Sequence, residues 1–495
     1  MVLTISSFKR WAGALVILAT LAPGLAGCGT TNPATGKSDF TPFMSPRQEA
    51  ALGKKEHPKI IAQYGGVYGD PELADYVARV GRKVLAKSDT PDRNFTFTVL
   101  DTPVVNAFAL PGGYVYITRG LLALANSEAE LAGVLGHEIG HVSARHSAKR
   151  YNKSVWASLG AGLLGAVAGS SEVQDLANLG SSLYLSSYSR KQEYQADTLG
   201  VRYLASAGYD PFAQAAFLAK LERSTLLERR LGGGSGGGGG GFFATHPRSA
   251  DRVSRAVEAA RKAGGKPGSA PRYKARYLTA IDGLLYGDDP KEGLIRGRVF
   301  AHPKLGFTFT VPPGFQLINS DDAVIARAND GALVMFNGAR VNPAVPMVTY
   351  LRRWAAKTPL ANLEQLNIHG LEAATATTRL AGGAKVYDMR LIVIRFKGER
   401  IYRFQIATPP AQTAKWTTEM QRMTYSFRRL TGREAAIFKP YRVKIVTVKQ
   451  GDTVKSLARR MALKKSPVAQ FRVLNGLSPT QSVTPGQLVK IIAVQ

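Results

Sequence analysis

The sequence predicts an α+β protein of several domains, and three patterns along the chain indicate this fold class. Apolar residues recur with helical spacing through most of residues 47–275, where only the alternation near 95–117 predicts a small β-sheet. From Val299 onward strand alternation prevails, which predicts a small α+β unit over 299–430. The end of the chain, 441–495, has the pattern of a strand, two helices and a strand, a βααβ unit.

Length and charge limit the class of protein. The chain of 495 residues carries 65 Lys and Arg against 35 Asp and Glu, a formal net charge of +30. This length allows about three domains, each able to bury a core. The positive charge favours anionic surroundings such as lipid headgroups or anionic polymers. No nucleic-acid-binding motif accompanies the charge, so we expect no nucleic acid partner. A single cysteine excludes an intramolecular disulfide framework.

The start of the chain has the layout of a secretory signal peptide, which we expect over residues 1–27. Two basic residues precede a short apolar run, 11–25, and small residues then lead to the cysteine, Cys28. The four residues that end there, Leu-Ala-Gly-Cys, resemble a bacterial lipobox. The resemblance implies a lipid on Cys28, with 28–46 as a tether to the outer membrane. A transmembrane anchor is the alternative, although the apolar run is short for one.

The motif Gly-His-Glu-Ile-Gly-His is the first candidate for chemistry. His137 and His141 are spaced i, i+4, so on a helix they share one face and can bind one metal ion. A helix is indicated because Ser127 and Glu130 form a capping-box pattern ahead of residues with helical periodicity. Glu138 lies next to His137, where it can reach water at the metal. Buried histidines at this spacing also occur by chance, so a structural core helix is the alternative.

A second helix is expected to supply the third protein ligand that a catalytic zinc site needs. It offers Glu193, with Asp197 one turn further along the same face. Together the two motifs resemble the gluzincin metallopeptidases of the CAAX prenyl protease type, in their periplasmic BepA-like lipoprotein branch. The resemblance implies that His137, His141 and Glu193 bind one zinc ion (Zn2+) per chain. It also implies that Glu138 is the general base and that Asp197 orients a ligand.

Residues 106–117 predict two strands around a Pro-Gly-Gly break. This stretch resembles the strand that lies beside the metal in the same family. An exposed edge at Asn106, Ala107 and Phe108 would bind a substrate peptide by strand addition. An ordinary core hairpin is the alternative.

Three features near the metal motifs are less specific. His146 lies at i+5 from His141 and is therefore expected to point away from the metal, as a structural residue. The apolar run 155–169 is too short to span a bilayer, and it predicts a buried helix or a cover at the membrane surface. Residues 199–229 are expected to be helical.

His246 follows a glycine-rich run, 232–241, whose composition is typical of a linker. A basic helix is expected after it, over 249–262. The Thr-His-Pro around His246 resembles a family motif near the metal. The resemblance implies that His246 lies near the metal. We hypothesise that it both donates a hydrogen bond to the oxyanion and, when neutral, occupies zinc's open position as a plug. A histidine that caps the following helix is the structural alternative.

The βααβ pattern of 441–495 resembles a LysM domain, which binds N-acetylglucosamine polymers such as peptidoglycan. The residues that carry the resemblance are Gly451-Asp452-Thr453, Asn475-Gly476-Leu477 and Pro485-Gly486-Gln487. The unit carries ten Lys and Arg against one acid, Asp452. A structural cap that binds no glycan is the alternative.

The sequence therefore predicts a zinc metalloendopeptidase at the bacterial outer membrane, facing the periplasm. Its partners would be periplasmic proteins or peptides, among them misassembled outer-membrane proteins, and peptidoglycan. The expected segments are a signal peptide (1–27), a tether (28–46), a protease domain (47–275), a connector (276–298), an α+β domain of unknown role (299–430) and a LysM domain (441–495). The alternative is a non-catalytic chaperone or scaffold with structural zinc. Glu138 discriminates, because a structural site needs no general base.

Overall fold

The computed structural model describes residues 29–156, 187–231, 241–248, 251–320, 322–382 and 385–495. Within them, helices and several small sheets share the chain, which confirms the α+β fold class. The predicted signal peptide, Cys28, most of the apolar run 155–169 and the glycine run up to 240 lie outside the described residues. In the ranges given above, no helix is both long and apolar enough to cross a membrane.

We call residues 46–280 the helical unit. Serine, threonine or aspartate precedes many of its helices, and the side chain accepts a backbone N–H, as N-caps do. The helices are α1 (Pro46–Gln63), α2 (Pro71–Leu85), α3 (Arg119–Leu124), α4 (Glu128–Ser143), α5 (Arg190–Ser206), α6 (Phe212–Arg230), α7 (Phe242–Thr245), α8 (Arg252–Lys262) and α9 (Lys274–Ala280). A two-stranded sheet, β1 (Gly29–Thr31) with β2 (Ser38–Phe40), precedes them.

A three-stranded sheet lies beside these helices. Its strands are β3 (Thr96–Leu100), β4 (Ala107–Leu110) and β5 (Tyr114–Thr118), in the order β3-β5-β4. The predicted pair of strands around Pro-Gly-Gly is confirmed, since β4 and β5 are antiparallel. Gly113 has a φ of 90°, and a Cβ there would lie 2.4 Å from the carbonyl oxygen of Asn94, so only glycine fits the turn. Strand β4 is at the edge of this sheet.

The prediction of continuous helix over 199–229 was wrong at its centre. Helix α5 ends at Ser206, and α6 begins at Phe212. Gly208, with a φ of 78°, and Pro211 lie between them. A left-handed glycine ends a helix and a proline begins the next, so this boundary has a local cause that helical periodicity alone does not reveal.

Helices α4 and α5 pack closely because glycines face the contact. A Cβ on Gly136 would lie 3.2 Å from the carbonyl oxygen of Gly200, and one on Gly140 would lie 3.1 Å from the Cβ of Leu199. These glycines alternate along α4 with the two histidines of the metal motif. The close approach of the backbones therefore brings the motif of α4 opposite Glu193 on α5.

Residues 281–298 lead into a β-rich middle unit (299–430) through β6 (Leu285–Tyr286) and β7 (Leu294–Arg296). A four-stranded antiparallel sheet, in the order β17-β9-β8-β7, adds β8 (Val299–His302), β9 (Phe307–Thr310) and β17 (Arg428–Arg429). A seven-stranded antiparallel sheet, in the order β10-β11-β12-β16-β15-β14-β13, contains β10 (Gln316–Asn319), β11 (Val324–Arg327), β12 (Leu333–Arg340), β13 (Ala361–Ile368), β14 (Leu371–Gly382), β15 (Lys385–Lys397) and β16 (Arg400–Thr408). The predicted hairpin across 397–400 is confirmed.

A helix packs on each face of the seven-stranded sheet. Helix α10 (Met347–Trp354) packs on one face, and α11 (Thr413–Ser426) packs on the other. A short helix, α12 (Gly432–Ile437), follows. Aromatic residues such as Phe307 and Phe336 fill the core on the α11 side. The middle unit thus has cores of its own.

The C-terminal unit has the predicted βααβ order. It consists of β18 (Tyr441–Thr447), α13 (Val454–Arg459), α14 (Pro467–Leu474) and β19 (Leu488–Val494). The two strands pair along their whole length. Strand β18 also pairs with β6, and Val443, Leu474 and Ile492 belong to the same apolar core as the helical unit. The C-terminal unit is therefore packed into the rest of the chain and does not hang from a free linker.

Lys490 fixes this packing through backbone contacts. Its side chain is fully buried, and Nζ donates to the carbonyl oxygens of Ala123 (2.6 Å), Leu124 (3.2 Å) and Ala125 (2.7 Å). These carbonyls end helix α3, where the last turn has no partners within the helix. Burial lowers the pKa of Lys490 well below its usual value, so these contacts act as hydrogen bonds to the carbonyls and not as a charge paired with the helix end.

A Lys490→Met variant is expected to lower the free energy of unfolding by about 1–3 kcal/mol, the usual cost of leaving buried acceptors without donors. Denaturant unfolding of the whole chain measures this loss. Lys444→Met is the matched control, because Lys444 is exposed on β18 and its replacement removes no buried contact. Equal stability of the two variants would show that the Lys490 contacts do not hold the units together.

Candidate metal centre

The helix that carries the two motif histidines is set by its first turn. Ser127 is the N-cap, and its hydroxyl accepts the backbone N–H of Glu130 at 3.2 Å. The capping-box prediction was wrong in its second half. The carboxylate of Glu130 accepts the N–H of Asn126 (2.7 Å) and pairs with buried Lys220 of α6, so it does not reach back to Ser127. The result is a helix start anchored to α6.

Three predicted ligands and His246 converge on one point. One side-chain atom from each of His137, His141, Glu193 and His246 lies within 4.8 Å of the other three. Nε2 of His141 lies 3.0 Å from Nε2 of His137 and 3.4 Å from Oε1 of Glu193. Nδ1 of His246 lies 3.3 Å from Nε2 of His137 and 3.0 Å from the same Glu193 oxygen. All four side chains are buried.

This geometry fits a zinc ion. A tetrahedron with metal–ligand bonds of about 2.0–2.1 Å has edges of about 3.3 Å. Four of the six separations among these atoms are 3.0–3.4 Å, and the other two are at most 4.8 Å. Three imidazole nitrogens and one carboxylate oxygen are also donors that zinc accepts. The residues therefore fit the metal that the sequence implies, with His246 at the fourth vertex.

The predicted orienting residue, Asp197, is in place behind His137. Its Oδ1 lies 3.0 Å from Nδ1 of His137, the ring nitrogen that faces away from the cluster. Arg252 of α8 contacts this carboxylate through Nε and Nη2, both at 2.8 Å, and Glu193 through Nη1 at 2.7 Å. One buried guanidinium thus holds two carboxylates of α5 in position. The sequence analysis did not identify this role of Arg252.

The charge states of Glu193 and His141 suit the binding of a cation. Burial by itself would raise the pKa of Glu193, but His246, His141 and Arg252 lower it well below its usual value. This side chain is therefore anionic. Burial lowers the pKa of His141 well below its usual value, so the ring is neutral and can offer Nε2. A carboxylate and a neutral imidazole are the forms in which these residues bind metals.

Glu138 lies beside the cluster and is fully buried. Neither carboxylate oxygen forms a hydrogen bond with any described residue, and Oε1 lies 3.4 Å from Nε2 of His246. Burial raises the pKa of Glu138. A raised pKa favours a general base near neutral pH. A buried carboxylate without a hydrogen bond is costly for a fold, which is consistent with a partner such as water or substrate.

His246 is held in the cluster by several contacts. Its ring stacks on that of Phe242 at a centroid distance of 4.4 Å, and Nε2 lies 3.2 Å from the carbonyl oxygen of Ala107. The backbone of α7 is attached as well, because the N–H of Phe242 donates to the carbonyl of Val105. His246 does not cap α8, whose N-cap residue is Asp251. The structure therefore disagrees with the capping alternative.

The residues predicted to bind substrate lie next to the cluster. Asn106, Ala107 and Phe108 are buried at the start of edge strand β4. Strand β5 pairs with one side of β4. On its other side the carbonyl of Ala107 faces His246. His246 therefore belongs to the cluster and also contacts the first residue of β4.

His146 is outside the four-residue cluster, as predicted for a structural residue, but it contacts His141 instead of pointing away from the site. Nδ1 of His146 lies 2.8 Å from Nδ1 of His141, and the ring is fully buried. Helix α4 ends at Ser143, and Arg145 has a left-handed φ of 53°. The chain turns back there, so the helical spacing behind the prediction no longer applies. Burial lowers the pKa of His146 to about 4, which keeps the ring neutral.

Tyr188 is a site residue that sequence reasoning missed. Its ring stacks on His141 at a centroid distance of 3.7 Å, and the guanidinium carbon of Arg150 lies 3.8 Å from the Tyr188 centroid. The backbone N–H of Tyr188 donates to the carbonyl of Thr245, next to His246. Tyr188 lies outside both metal motifs, so no spacing rule marks it.

Two segments of the chain match known families. Residues 71–260 match the sequence model of "Peptidase family M48", and residues 446–491 match that of "LysM domain". The first segment contains the metal cluster. The second contains most of the βααβ unit.

Similar proteins include a "Beta-barrel assembly-enhancing protease" of Escherichia coli (strain K12), 28% identical over 217 residues, 42% of this chain and 44% of the relative. "Mitochondrial metalloendopeptidase OMA1" of Arabidopsis thaliana is 38% identical over 155 residues, 31% of this chain and 29% of the relative. "Metalloprotease LoiP" of Escherichia coli (strain K12) is 32% identical over 152 residues, 30% and 56%. The chain thus spans between 29% and 56% of these relatives. Together with the cluster, the matches support a zinc metalloprotease.

Proposed function

We propose that the chain is a zinc-dependent endopeptidase of the bacterial cell envelope. The observation that carries this proposal is the buried cluster of His137, His141, Glu193 and His246, with Glu138 beside it and without a hydrogen bond among the described residues. The match to a peptidase family supports the same activity. Cleavage of an unfolded protein with and without a metal chelator tests the proposal. An equal rate of cleavage with and without the chelator would contradict the proposal.

The proposed chemistry divides between the metal and the protein. Bound by His137, His141 and Glu193, zinc would supply Lewis acidity that activates water and polarises a peptide carbonyl. Oε of Glu138 takes the proton from the attacking water and returns it to the leaving amine nitrogen. Asp197 holds His137 through Nδ1, which keeps Nε2 directed at the cluster. The burial of these groups excludes bulk water from the reacting atoms.

Peptide substrate is proposed to bind along β4. An extended peptide would pair with the side of the strand that faces away from β5, near Asn106, Ala107 and Phe108, as an added strand. These three residues are buried, so the groups that cover this side would first have to move. Such a peptide would place its carbonyl beside the cluster, because Ala107 is within 3.2 Å of His246. In the described state this pairing is blocked at Ala107, so His246 would have to move before a peptide binds.

His246 is proposed to be a plug, one of the two roles hypothesised for it. It completes four protein ligands around the cluster, whereas a catalytic zinc site keeps one position open. The described state is then a closed enzyme. A role as an oxyanion donor requires the ring to leave the fourth vertex and remain nearby.

A His246→Ala variant is therefore expected to raise basal cleavage about tenfold, the change that ~1.4 kcal/mol of lost closed-state stabilisation produces. Initial rates on an unfolded protein measure it. His302→Ala, at a buried histidine in the middle unit, is the control and should change nothing. A lower rate in His246→Ala would instead assign the oxyanion role. An unchanged initial rate would remove His246 from the chemistry.

A structural metal site in a chaperone or scaffold is the second candidate function. Four protein ligands favour it, since structural zinc sites are closed. It gives no reason for Glu138 to be buried beside the cluster without a hydrogen bond among the described residues. Replacement of Glu138 therefore distinguishes the two candidates. It should abolish proteolysis if the chain is a peptidase, and it should not affect the function of a scaffold with a structural metal.

The place of action is proposed from the chain's ends and its relatives. A lipid on Cys28, after removal of residues 1–27, would hold the chain at the outer membrane through the tether 28–46. The similar protein named for enhancing β-barrel assembly suggests misassembled outer-membrane proteins as substrates.

We propose the same division of the chain as the sequence predicts: a protease domain (47–275), a connector (276–298), an α+β domain (299–430) and a LysM domain (441–495). Membership of the CAAX prenyl protease type and of its lipoprotein branch is likewise proposed.

Peptidoglycan binding by 441–495 is expected to survive about 0.5 M salt, where charges more than about 4 Å apart are screened. Sedimentation of the whole chain with isolated peptidoglycan measures it, with N-acetylglucosamine oligomers as competitors. Deleting the unit is a poor test, because Val443, Leu474 and Ile492 belong to the core of the helical unit. If binding disappears at this salt concentration, or if the oligomers do not compete, the interaction is due to the unit's positive charge and not to recognition of the glycan.

A further inference from the structure

A chain of hydrogen bonds runs behind His141, on the side away from the cluster. Nε2 of His141 faces the other ligands, 3.0 Å from Nε2 of His137. Its Nδ1 lies 2.8 Å from Nδ1 of His146, and Nε2 of His146 lies 3.1 Å from Oε1 of Gln195. His146 is fully buried, so these two contacts use both nitrogens of its ring.

The direction of each hydrogen bond follows from metal binding. A nitrogen that binds a metal carries no proton, so neutral His141 carries its hydrogen on Nδ1. That hydrogen is donated to Nδ1 of His146, which must therefore be an acceptor. His146 then carries its own hydrogen on Nε2 and donates it to the amide oxygen of Gln195. Each ring is thus fixed as one tautomer.

We propose that His146 is a positioning residue for the metal, which orients His141 and links it to helix α5. The inference rests on the proposed function, because it takes His141 as a ligand. The partner behind His137 is the charged carboxylate of Asp197, whereas the partner behind His141 is the neutral imidazole of His146. Partners behind ligand histidines fix the orientation of the ring and raise the basicity of the bound nitrogen.

The link to α5 joins the ligands of two helices. Gln195 lies two residues after the ligand Glu193 on α5. On the same helix, Nε2 of Gln192 donates to the backbone carbonyl of His146 at 3.3 Å. The turn after α4 is therefore attached to α5 at two points. Movement of α5 would shift Glu193 and His141 together, which keeps the ligand set at a constant geometry.

A His146→Leu variant is expected to bind zinc about 10–100-fold more weakly, the usual effect of losing a partner behind a ligand. Competition with a chromogenic chelator measures the affinity, and the visible spectrum of the cobalt-substituted protein reports the ligand geometry. His302→Leu is the control, since His302 is also a buried histidine with a hydrogen bond but lies in the middle unit. His146→Gln should recover part of the affinity, because its amide oxygen can accept from His141.

Stability of the metal-free variants, measured by thermal unfolding, separates a damaged fold from a changed site. If His146→Leu does not fold, Gln195→Met tests the same link by removing the acceptor at the end of the chain of hydrogen bonds, and a smaller loss of affinity is expected. Unchanged zinc affinity and an unchanged cobalt spectrum in a folded variant overturn the proposal for His146. If the wild-type chain itself binds zinc but cleaves no protein, the proposed function fails while the positioning role stands.

Discussion

A Glu138→Gln variant is expected to lose ~10²–10⁴-fold in proteolytic rate, the usual contribution of a general base. It should keep its metal, because Glu138 is outside the group of four residues that can hold the ion. The amide has the size of the carboxylate but cannot take a proton from water. Initial rates on an unfolded protein and the metal content of the purified variant measure the two effects.

Glu128→Gln is a matched control on the same helix. Glu128 is also buried, and it accepts hydrogen bonds from Tyr76 (2.9 Å) and Tyr209 (2.7 Å) away from the cluster. Its replacement is expected to leave the rate within a few-fold of wild type. Near-normal turnover in Glu138→Gln would falsify the assignment of the base, and it would favour the scaffold with a structural metal.

An Arg252→Met variant is expected to lose about 3–5 kcal/mol of unfolding free energy, the usual cost of removing one partner of a buried ion pair. Arg252 is buried and contacts both Asp197 and Glu193, so its loss leaves two buried carboxylates without their cation. Weaker metal binding is expected as well, since both carboxylates belong to the cluster or support it. Denaturant unfolding, with and without added zinc, measures the change.

Arg255→Met, one turn further along α8, is the control for this variant. Arg255 pairs with Asp251 at 2.7 Å, but its side chain is 54% exposed. Exposed pairs add little to stability, so this replacement should leave unfolding nearly unchanged. If the two arginine variants unfold alike, the Arg252 network does not hold the metal helices together.

Features with a local cause were predictable from the sequence. The spacing of His137 and His141, and of Glu193 and Asp197, predicted faces on two helices, and the structure brings all four side chains to one place. The Pro-Gly-Gly turn and the hairpin at 397–400 were predictable for the same reason, since turn residues act on their immediate neighbours. The order of the βααβ unit also follows from local patterns.

Features that depend on distant contacts were not predictable. The error on His146 arose because helical spacing was extended past the end of α4, where the chain turns at Arg145. The docking of the C-terminal unit depends on Lys490 meeting the end of α3, 365 or more residues away in sequence. Hydrophobic periodicity is a local pattern, so it gives no information about such a contact. The ion pairs of Arg252 with Asp197 and Glu193 likewise join residues that are distant in sequence.

The place of His246 in the cluster also follows from packing rather than from spacing. The motif around His246 placed this residue near the metal by resemblance, but its position in the cluster depends on the ring of Phe242 and on the backbone carbonyl of Ala107 in β4. The second of these contacts comes from a distant part of the chain. Sequence reasoning therefore left two roles open, and the geometry favours one of them.

The central claim is that one zinc ion, held by this cluster, makes the chain a peptidase. The most direct test is a zinc titration of the metal-free wild-type chain, with cleavage of an unfolded protein followed by mass spectrometry of the new peptide ends. Activity is expected to rise in proportion to added zinc and to reach its maximum at one ion per chain. Full cleavage by the metal-free chain, or no cleavage by a chain with one zinc bound even after His246→Ala, would contradict the account.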